Sequence, residues 1–241
     1  MRRLSSFAAV SVLVLVSLPS TVVAQTCLGA ASFRVSPFRA GAIASIADGG
    51  KLYGAQFAYG HTAGAFGAAS IARVDIDGAP ENETMFGVEA GFSAPLGQAR
   101  KTELCPVLSL DFESGPDVDA TGVGQFETSG RTLALGASIG SPMRSTPTSD
   151  IIPFASALYT NATVTLKGNA LGQAFDVSVT DDFLDLTAGA GFIMNKVFTI
   201  QPSLSYPIGM EDDGSGDSRL VFNIMLSYNF GTAGAKAKLR R

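Results

Sequence analysis

The sequence has 241 residues, of which 46% are hydrophobic and only 16% are charged, and its formal net charge is −4. It has no basic cluster outside the extreme C-terminal tail, which argues against nucleic acid as a partner. So little charge is unusual for a soluble protein, yet no segment beyond the N-terminus is apolar over the roughly 20 residues that a membrane-spanning helix needs.

The N-terminus predicts an export signal that is removed from the mature protein. Arg2 and Arg3 form a basic start, residues 7–18 form an apolar core, and Val22-Val23-Ala24 is a small-residue cleavage site. We therefore assign residues 1–24 as a signal peptide. Its removal leaves 15 basic and 21 acidic residues, a formal charge of −6.

The mature chain alternates apolar and polar residues in segments separated by turn residues, which predicts about ten antiparallel strands. Asp48-Gly49-Gly50 is a strong hairpin signal between the first two strands. Helical periodicity of any length is absent. The predicted strands cover residues 40–47, 52–60, 65–76, 85–94, 106–113, 131–140, 151–166, 183–194, 197–208 and 220–230.

The last predicted strand carries the clearest signal, because its apolar residues all share one face. These residues are Leu220, Phe222, Ile224, Leu226, Tyr228 and Phe230. Such strict alternation near the end of an exported chain is typical of a lipid-facing barrel strand. The predicted fold is all-β, a single antiparallel up-and-down transmembrane β-barrel of about ten strands, with eight as the alternative. The barrel would cover residues 40–230, between a periplasmic lead-in at 25–39 and a basic tail at 231–241.

An even strand count places both chain ends on the periplasmic side of such a barrel. The connections that face outside would then be 48–50, 77–83, 114–130, 168–181 and 210–218. The longest two of these, 114–130 and 168–181, are predicted as long surface loops.

The two cysteines, Cys27 and Cys105, both fall at the periplasmic rim in the ten-strand count. An exported chain meets an oxidising compartment, so we predict a disulfide between them, with two unrelated thiols as the alternative. The bridge would tie the N-terminal lead-in across the barrel base. Cys27 also leaves a lipoprotein open, although lipidation usually requires a small residue before the cysteine and Thr26 stands there.

With this pattern the chain resembles the small outer-membrane β-barrel proteins of Gram-negative bacteria, the opacity-protein and porin-like group. The resemblance rests on a barrel-assembly signal, an apolar alternation that closes on an aromatic residue, formed here by Phe222, Ile224, Leu226, Tyr228 and Phe230. In that group the signal usually ends the chain, whereas here residues 231–241 follow it. The resemblance implies the bacterial outer membrane as the location. It implies outer-membrane lipid, lipopolysaccharide and the barrel-assembly machinery as partners, and it names no extracellular partner.

The residues that catalysis needs are sparse. His61 is the only histidine and falls beside a predicted periplasmic turn. A serine or cysteine nucleophile requires a base, so we predict no enzymatic activity and no cofactor. Asp213, Ser215 and Asp217 resemble part of a calcium loop, but Ile224 stands where the bidentate acid belongs, so we also predict no metal site.

The inward positions of the predicted strands carry polar residues that can pair across a lumen. This lumen polar network comprises Arg73, Glu89, Asp111, Asp185 and Gln201, with Arg73 pairing with Glu89 or Asp111. A small barrel is just wide enough for side chains to fill it, so we predict a structural or surface-interaction role. A narrow porin-like channel for small solutes is the alternative, and a soluble secreted β-barrel remains a further one.

Overall fold

The computed structural model describes residues 26–31, 33, 36–76, 82–96, 102–120, 124–170, 173–209 and 220–231. The predicted signal peptide, the tail beyond Gly231 and the acidic segment around Asp213 lie outside these residues. No helix in the described part of the chain is long and apolar enough to cross a membrane.

The described residues form twelve strands after a single 3-10 turn at Thr26–Leu28. The strands are β1 Phe38–Ala47, β2 Gly50–Gly60, β3 Ala65–Ile76, β4 Glu83–Phe92, β5 Ala94–Leu96, β6 Thr102–Ala120, β7 Gly124–Gly140, β8 Arg144–Ser145, β9 Ser149–Ala170, β10 Gln173–Met194, β11 Phe198–Ile208 and β12 Val221–Phe230. Gly49 in the β1–β2 turn has a φ of 87°, a left-handed conformation that favours glycine.

Ten of these strands close into one antiparallel barrel, which confirms the predicted fold. Each of these ten strands pairs with the barrel strand before it and the barrel strand after it, so that β4 pairs with β6 and β7 with β9. Pairing of β1 with β12 closes the sheet. The short strands β5 and β8 add to the ends of β6 and β9. Both ends of the described chain therefore lie at one end of the barrel, here called the base, and the opposite end is called the mouth.

The outer surface of the barrel is an apolar band. Its exposed side chains include Tyr53, Phe57, Ile71, Phe86, Leu108, Phe112, Leu135, Tyr159, Leu204 and Leu226. A soluble monomer rarely exposes so much contiguous apolar surface, whereas a lipid-spanning barrel requires it. Where β1 and β12 close the barrel, Phe38 lies with its ring centroid 5.4 Å from that of Tyr59 and 5.9 Å from that of Phe230.

Two hairpins are much longer than the sequence predicted, so the predicted long loops are wrong. Residues 114–120 and 124–130 continue β6 and β7, and most of 168–181 belongs to β9 and β10. Pairing of β6 with β4 stops at Ser114, and pairing of β10 with β11 stops at Leu184. Cross-strand hydrogen bonds here override the turn-forming composition of these segments.

These four strands thus continue past the barrel mouth as a four-stranded sheet that is continuous with the barrel wall. We call this sheet the flange, formed by residues 115–120, 124–130, 161–170 and 173–183.

The N-terminal lead-in lies inside the barrel, which corrects the prediction of a periplasmic segment at 25–39. Its described residues 27–31, 33 and 36, here called the plug, are almost all buried, and Phe38 and Arg39 already belong to β1. Cys27 is bridged to Cys105 of β6, which confirms the predicted disulfide, and both side chains are 0% exposed. Small and apolar residues allow this segment to pack within the lumen.

Candidate functional site

Arg39 fastens the plug to the barrel wall. Its guanidinium carbon lies 4.3 Å from the centroid of the Phe33 ring, a cation–π arrangement. Its Nη2 donates to the carbonyl oxygen of Ala31, and its Nε donates to Oδ1 of Asn229 at 3.1 Å. Asn229 in turn donates through Nδ2 to the same carbonyl oxygen at 3.3 Å. One buried cation therefore joins the plug to the seam between β1 and β12.

Arg39 is absent from the candidates that the sequence supplied, because the first strand was predicted to begin one residue later. The signal was nevertheless present. Phe38 and Ala40 continue the outward alternation of β1, so Arg39 between them occupies an inward position.

The barrel wall is shaped to the plug at two glycines. Gly60 of β2 faces the ring of Phe33, and Gly191 of β10 faces the backbone of Gly29. A Cβ at either wall position would overlap the plug. Ser138 of β7 also donates a hydrogen bond through Oγ to the carbonyl oxygen of Cys27. The plug is therefore held on several sides of the lumen and fills the base.

A cavity of about 150 Å³ lies directly above the plug. Its polar lining is formed by Arg39, Gln56, Glu89 and Gln201, and Phe33 contributes to its apolar floor. The charges of Arg39 and Glu89 attract each other across this space. Two members of the predicted lumen network, Glu89 and Gln201, thus meet here around an arginine that the prediction did not include.

The other predicted inward residues lie nearer the mouth. Asp111 is close enough to Glu89 to repel its charge, and it lies on the inward face of β6. Asp185 lies on the inward face of β10, and within the described residues neither its Oδ1 nor Oε1 of Gln201 has a hydrogen-bond partner.

The prediction that Arg73 belongs to the lumen network is wrong. Arg73 is paired with Tyr53 and Thr84 on the outward face of β3, so it cannot reach Glu89. Ile71, two residues earlier in the strand, is 58% exposed and faces outward. Residues two apart in a strand share a face, so Arg73 faces outward as well. The side-chain amide of Asn82 is oriented so that its oxygen accepts a hydrogen bond from Nε of Arg73 at 3.0 Å and its nitrogen donates to Oδ1 of Asp75 at 3.2 Å.

The mouth of the lumen is acidic. Glu83, Asp111 and Glu113 face inward from the adjacent strands β4 and β6, and the charge of Glu113 is repelled by those of Glu83 and Asp111. Among the described residues of the ten barrel strands, Arg39 is the only basic residue at an inward position, and it lies at the base. No group of histidine, cysteine, aspartate or glutamate side chains within the described residues is arranged to hold a metal ion.

In the flange, polar side chains face outward and apolar side chains face inward, which is the reverse of the arrangement in the barrel. Tyr159 and Leu184 are paired, outward and apolar, but the next outward pair is Asn161 and Asp182, whose side chains share a hydrogen bond of 2.7 Å. The polar series continues outward through Thr163–Thr180, Thr165–Ser178 and Lys167–Asp176, at 3.1, 2.9 and 3.9 Å.

On the inner face of the flange the reversal leaves apolar side chains in contact with water. Val164, Leu166, Val177 and Val179 point toward the side of the lumen and are between 39% and 65% exposed. The sequence contains this signal, because the alternation of both strands continues without a break while the apolar residues change from outward to inward positions. Prediction of 168–181 as a loop concealed it.

The remaining sequence candidates are placed as follows. His61 is exposed in the β2–β3 turn, where its Nδ1 accepts a hydrogen bond from the backbone nitrogen of Ala63 at 3.1 Å. The predicted assembly signal lies along the outward face of β12, and its role in assembly stays a prediction. Its residues are Phe222, Ile224, Leu226, Tyr228 and Phe230.

The chain matches no known protein-family model, and no curated protein matches it in sequence. Solved structures of bacterial barrels do match. The beta domain of the Bordetella autotransporter BrkA is 13% identical with a TM-score of 0.51, over 81% of this chain and 100% of that chain. A KdgM porin is 9% identical with a TM-score of 0.40, over 80% and 99%.

A third match is Ail, the attachment invasion locus protein of Yersinia pestis, 14% identical with a TM-score of 0.35, over 81% of this chain and 98% of that chain. Such likeness shows the fold alone. The chain has the fold of a small outer-membrane β-barrel protein.

Proposed function

We propose that the protein is a closed, non-enzymatic barrel of the bacterial outer membrane that binds a partner at the cell surface through its flange. The observation that carries this proposal is the reversed polarity of the flange. A strand surrounded by lipid keeps its apolar side outward, whereas the flange carries a polar ladder outward and Val164, Leu166, Val177 and Val179 inward. This pattern fits a sheet that stands in water and offers one face to another molecule.

The plug supports a closed lumen over the channel alternative. It is held by the bridge between Cys27 and Cys105 and by the contacts of Arg39. The cavity above it, about 150 Å³, is smaller than the roughly 300–1,000 Å³ of ordinary small-molecule sites. Conduction would require the plug to leave the base.

We also propose lipopolysaccharide as the lipid neighbour of the outer rim. Lys51, Arg73 and Arg131 lie at outward positions toward the mouth end of the apolar band. Basic side chains at that level suit the phosphate groups of an anionic lipid surface.

The surface-binding role can be tested with a barrel that lacks the flange. Residues 115–128 and 163–180 would each be replaced by an Asn-Gly turn, which joins paired positions at the rim. Bacteria that display either protein would be compared for adherence to a defined panel of immobilised serum and extracellular-matrix proteins. We expect the full-length protein to promote adherence to at least one panel member and the shortened barrel to lose it.

Folding of both barrels would be checked by their mobility on a gel before and after boiling. Equal adherence by two folded barrels would overturn the role of the flange. Stepwise currents from the wild-type protein in planar lipid bilayers would contradict the closed lumen and favour the channel.

A further inference from the structure

We propose that the inner face of the flange, together with the adjoining rim of the barrel mouth, docks a peptide segment that presents aliphatic side chains at one end and a basic side chain roughly 10–15 Å away, about two to three strand spacings. This inference rests on the proposed surface-binding function and names the chemistry of the partner. The geometry that points to it is an apolar patch and a carboxylate cluster at opposite ends of one continuous face.

The apolar end lies on β9 and β10. Leu166 is paired with Val177 and Val164 with Val179, so the four side chains form two adjacent cross-strand pairs on the inner face. Val179, at 65%, is the most exposed of them. Since cross-strand neighbours on one face lie within contact distance, the four side chains form one contiguous apolar surface.

The acidic end lies on β4 and β6, in the same rows of the sheet. The register runs from Glu113 through Gly130 and Val164 to Val179 across four successive strands. At a strand spacing of about 4.8 Å, Glu113 lies roughly 10 Å from Val164 and roughly 14 Å from Val179. Glu83 lies one row further from the barrel, beside Gly115.

The surface between the two ends carries small residues at its inward positions. In the row of Glu113 the only residue between the carboxylate and Val164 is Gly130, which has no side chain. In the next row Gly115 lies beside Thr128, whose small side chain precedes Leu166. A Cβ at Gly130 would lie 2.8 Å from Oε2 of Glu113 and one at Gly115 would lie 3.1 Å from Oε1 of Glu83. A docked segment can therefore lie across the strands and reach both ends.

The charge decides which occupant the face prefers. The cluster of Glu83, Asp111 and Glu113 has no described basic residue on the same face. An acyl chain would gain nothing at the carboxylate end, and an anionic lipid would be repelled there. A segment with a lysine or arginine would neutralise the cluster while its aliphatic residues cover Val164 and Val179.

The test uses the full-length barrel in lipid nanodiscs and fluorescein-labelled peptides of twelve residues. The probe carries two valines at alternate positions and a lysine four residues away, about 13 Å in an extended chain. One comparison peptide has glutamate in place of lysine, and another has serines in place of the valines. Binding is measured as fluorescence anisotropy at low and at high salt.

We expect the lysine–valine probe to bind at least tenfold more tightly than either comparison peptide, with an affinity that falls as salt rises. The double variant Val164→Thr/Val179→Thr and the variant Glu113→Gln should each weaken binding at least fivefold. Matched controls on the outer face of the same sheet, Thr165→Val and Glu127→Gln, should leave it unchanged.

The proposal would be overturned if the unmodified barrel bound all three peptides equally. It would also be overturned if the inner-face variants bound the lysine–valine probe as tightly as the unmodified barrel does. Equal capture of the probe by empty nanodiscs would assign it to the lipid and would also overturn it. If the flange-shortened barrel loses adherence while the peptides are not discriminated, the surface-binding function stands and this inference fails. If the peptides are discriminated but adherence is unaffected by shortening the flange, the inference stands and the surface-binding function fails.

Discussion

Gly191 of β10 lies directly against the carbonyl oxygen of Gly29 in the plug, so that a Cβ at residue 191 would occupy the same space as that oxygen. The wall and the plug are therefore fitted to each other at the backbone. The same relationship recurs between Gly60 and the ring of Phe33. Both contacts lie at the base, where they exclude even one additional methyl group.

Substituting Gly191 by alanine should force the plug away from the wall. Overpacking of this kind costs about 1–3 kcal/mol, so the urea midpoint of the detergent-solubilised barrel should fall. Gly67→Ala is the matched control, because a Cβ there meets nothing nearer than the carbonyl oxygen of Glu89 at 3.5 Å. Equal midpoints for the two variants would show that the plug does not press on Gly191.

The disulfide should be protected in the folded barrel and should stabilise it. Cys27 and Cys105 are 0% exposed, so reductant should leave the unboiled band unchanged but shift the boiled band. The chain-entropy model gives roughly 4.5 kcal/mol for a loop of this length, so Cys27→Ser/Cys105→Ser should lower the unfolding midpoint. A boiled band insensitive to reductant would contradict the bridge.

Removal of the Arg39 guanidinium should loosen the plug. Hydrogen bonds to a charged group contribute about 1.5–3 kcal/mol each, and Arg39→Met removes those to Ala31 and Asn229. Combined with Cys27→Ser/Cys105→Ser, it should give current steps in planar bilayers where the wild type gives none. The control is Arg131→Met in the same background, since Arg131 faces outward. Silence of the Arg39 variant would mean that other contacts suffice to hold the plug.

The outer boundary of the apolar band should lie between Tyr159 and Thr163. The chain contains no tryptophan, so a single introduced tryptophan reports without background. Tyr159→Trp should emit at short wavelength and be quenched by brominated lipid, because residue 159 shares the outward face with Leu184. Thr163→Trp should emit at long wavelength and be quenched by aqueous iodide. Lipid quenching at both positions would place the flange in the membrane and contradict its proposed role.

Local alternation of apolar and polar residues was enough to predict most of the barrel strands. Strands such as β2 and β12 could be predicted to within a residue or two, because each repeats an outward apolar or aromatic residue at every second position. The flange was missed because its segments are rich in glycine, aspartate and serine, which form turns when isolated. Their partners in the sheet stabilise them as strands, and a pairing partner is not a property of a single segment.

The lumen site was predicted only in part, for a related reason. Alternation indicates that two sets of residues face opposite ways, but it names the inward set only where one set is clearly apolar. In β3 the sets are mixed, and Arg73 was assigned to the wrong one. Arg39 was missed because the first strand was predicted to begin at residue 40, and because no local pattern shows that the chain before β1 enters the barrel.

The sequence by itself determined that this chain forms an antiparallel barrel with an apolar outer surface, because period-two patterning is local and is repeated in each strand. It also paired the two cysteines correctly, because the strand count placed them at one rim. Only the tertiary structure decided that the lead-in plugs the base, that Arg39 faces Glu89, and that four strands rise beyond the mouth with reversed polarity. These features depend on contacts between segments distant in the chain, which are fixed when the barrel closes.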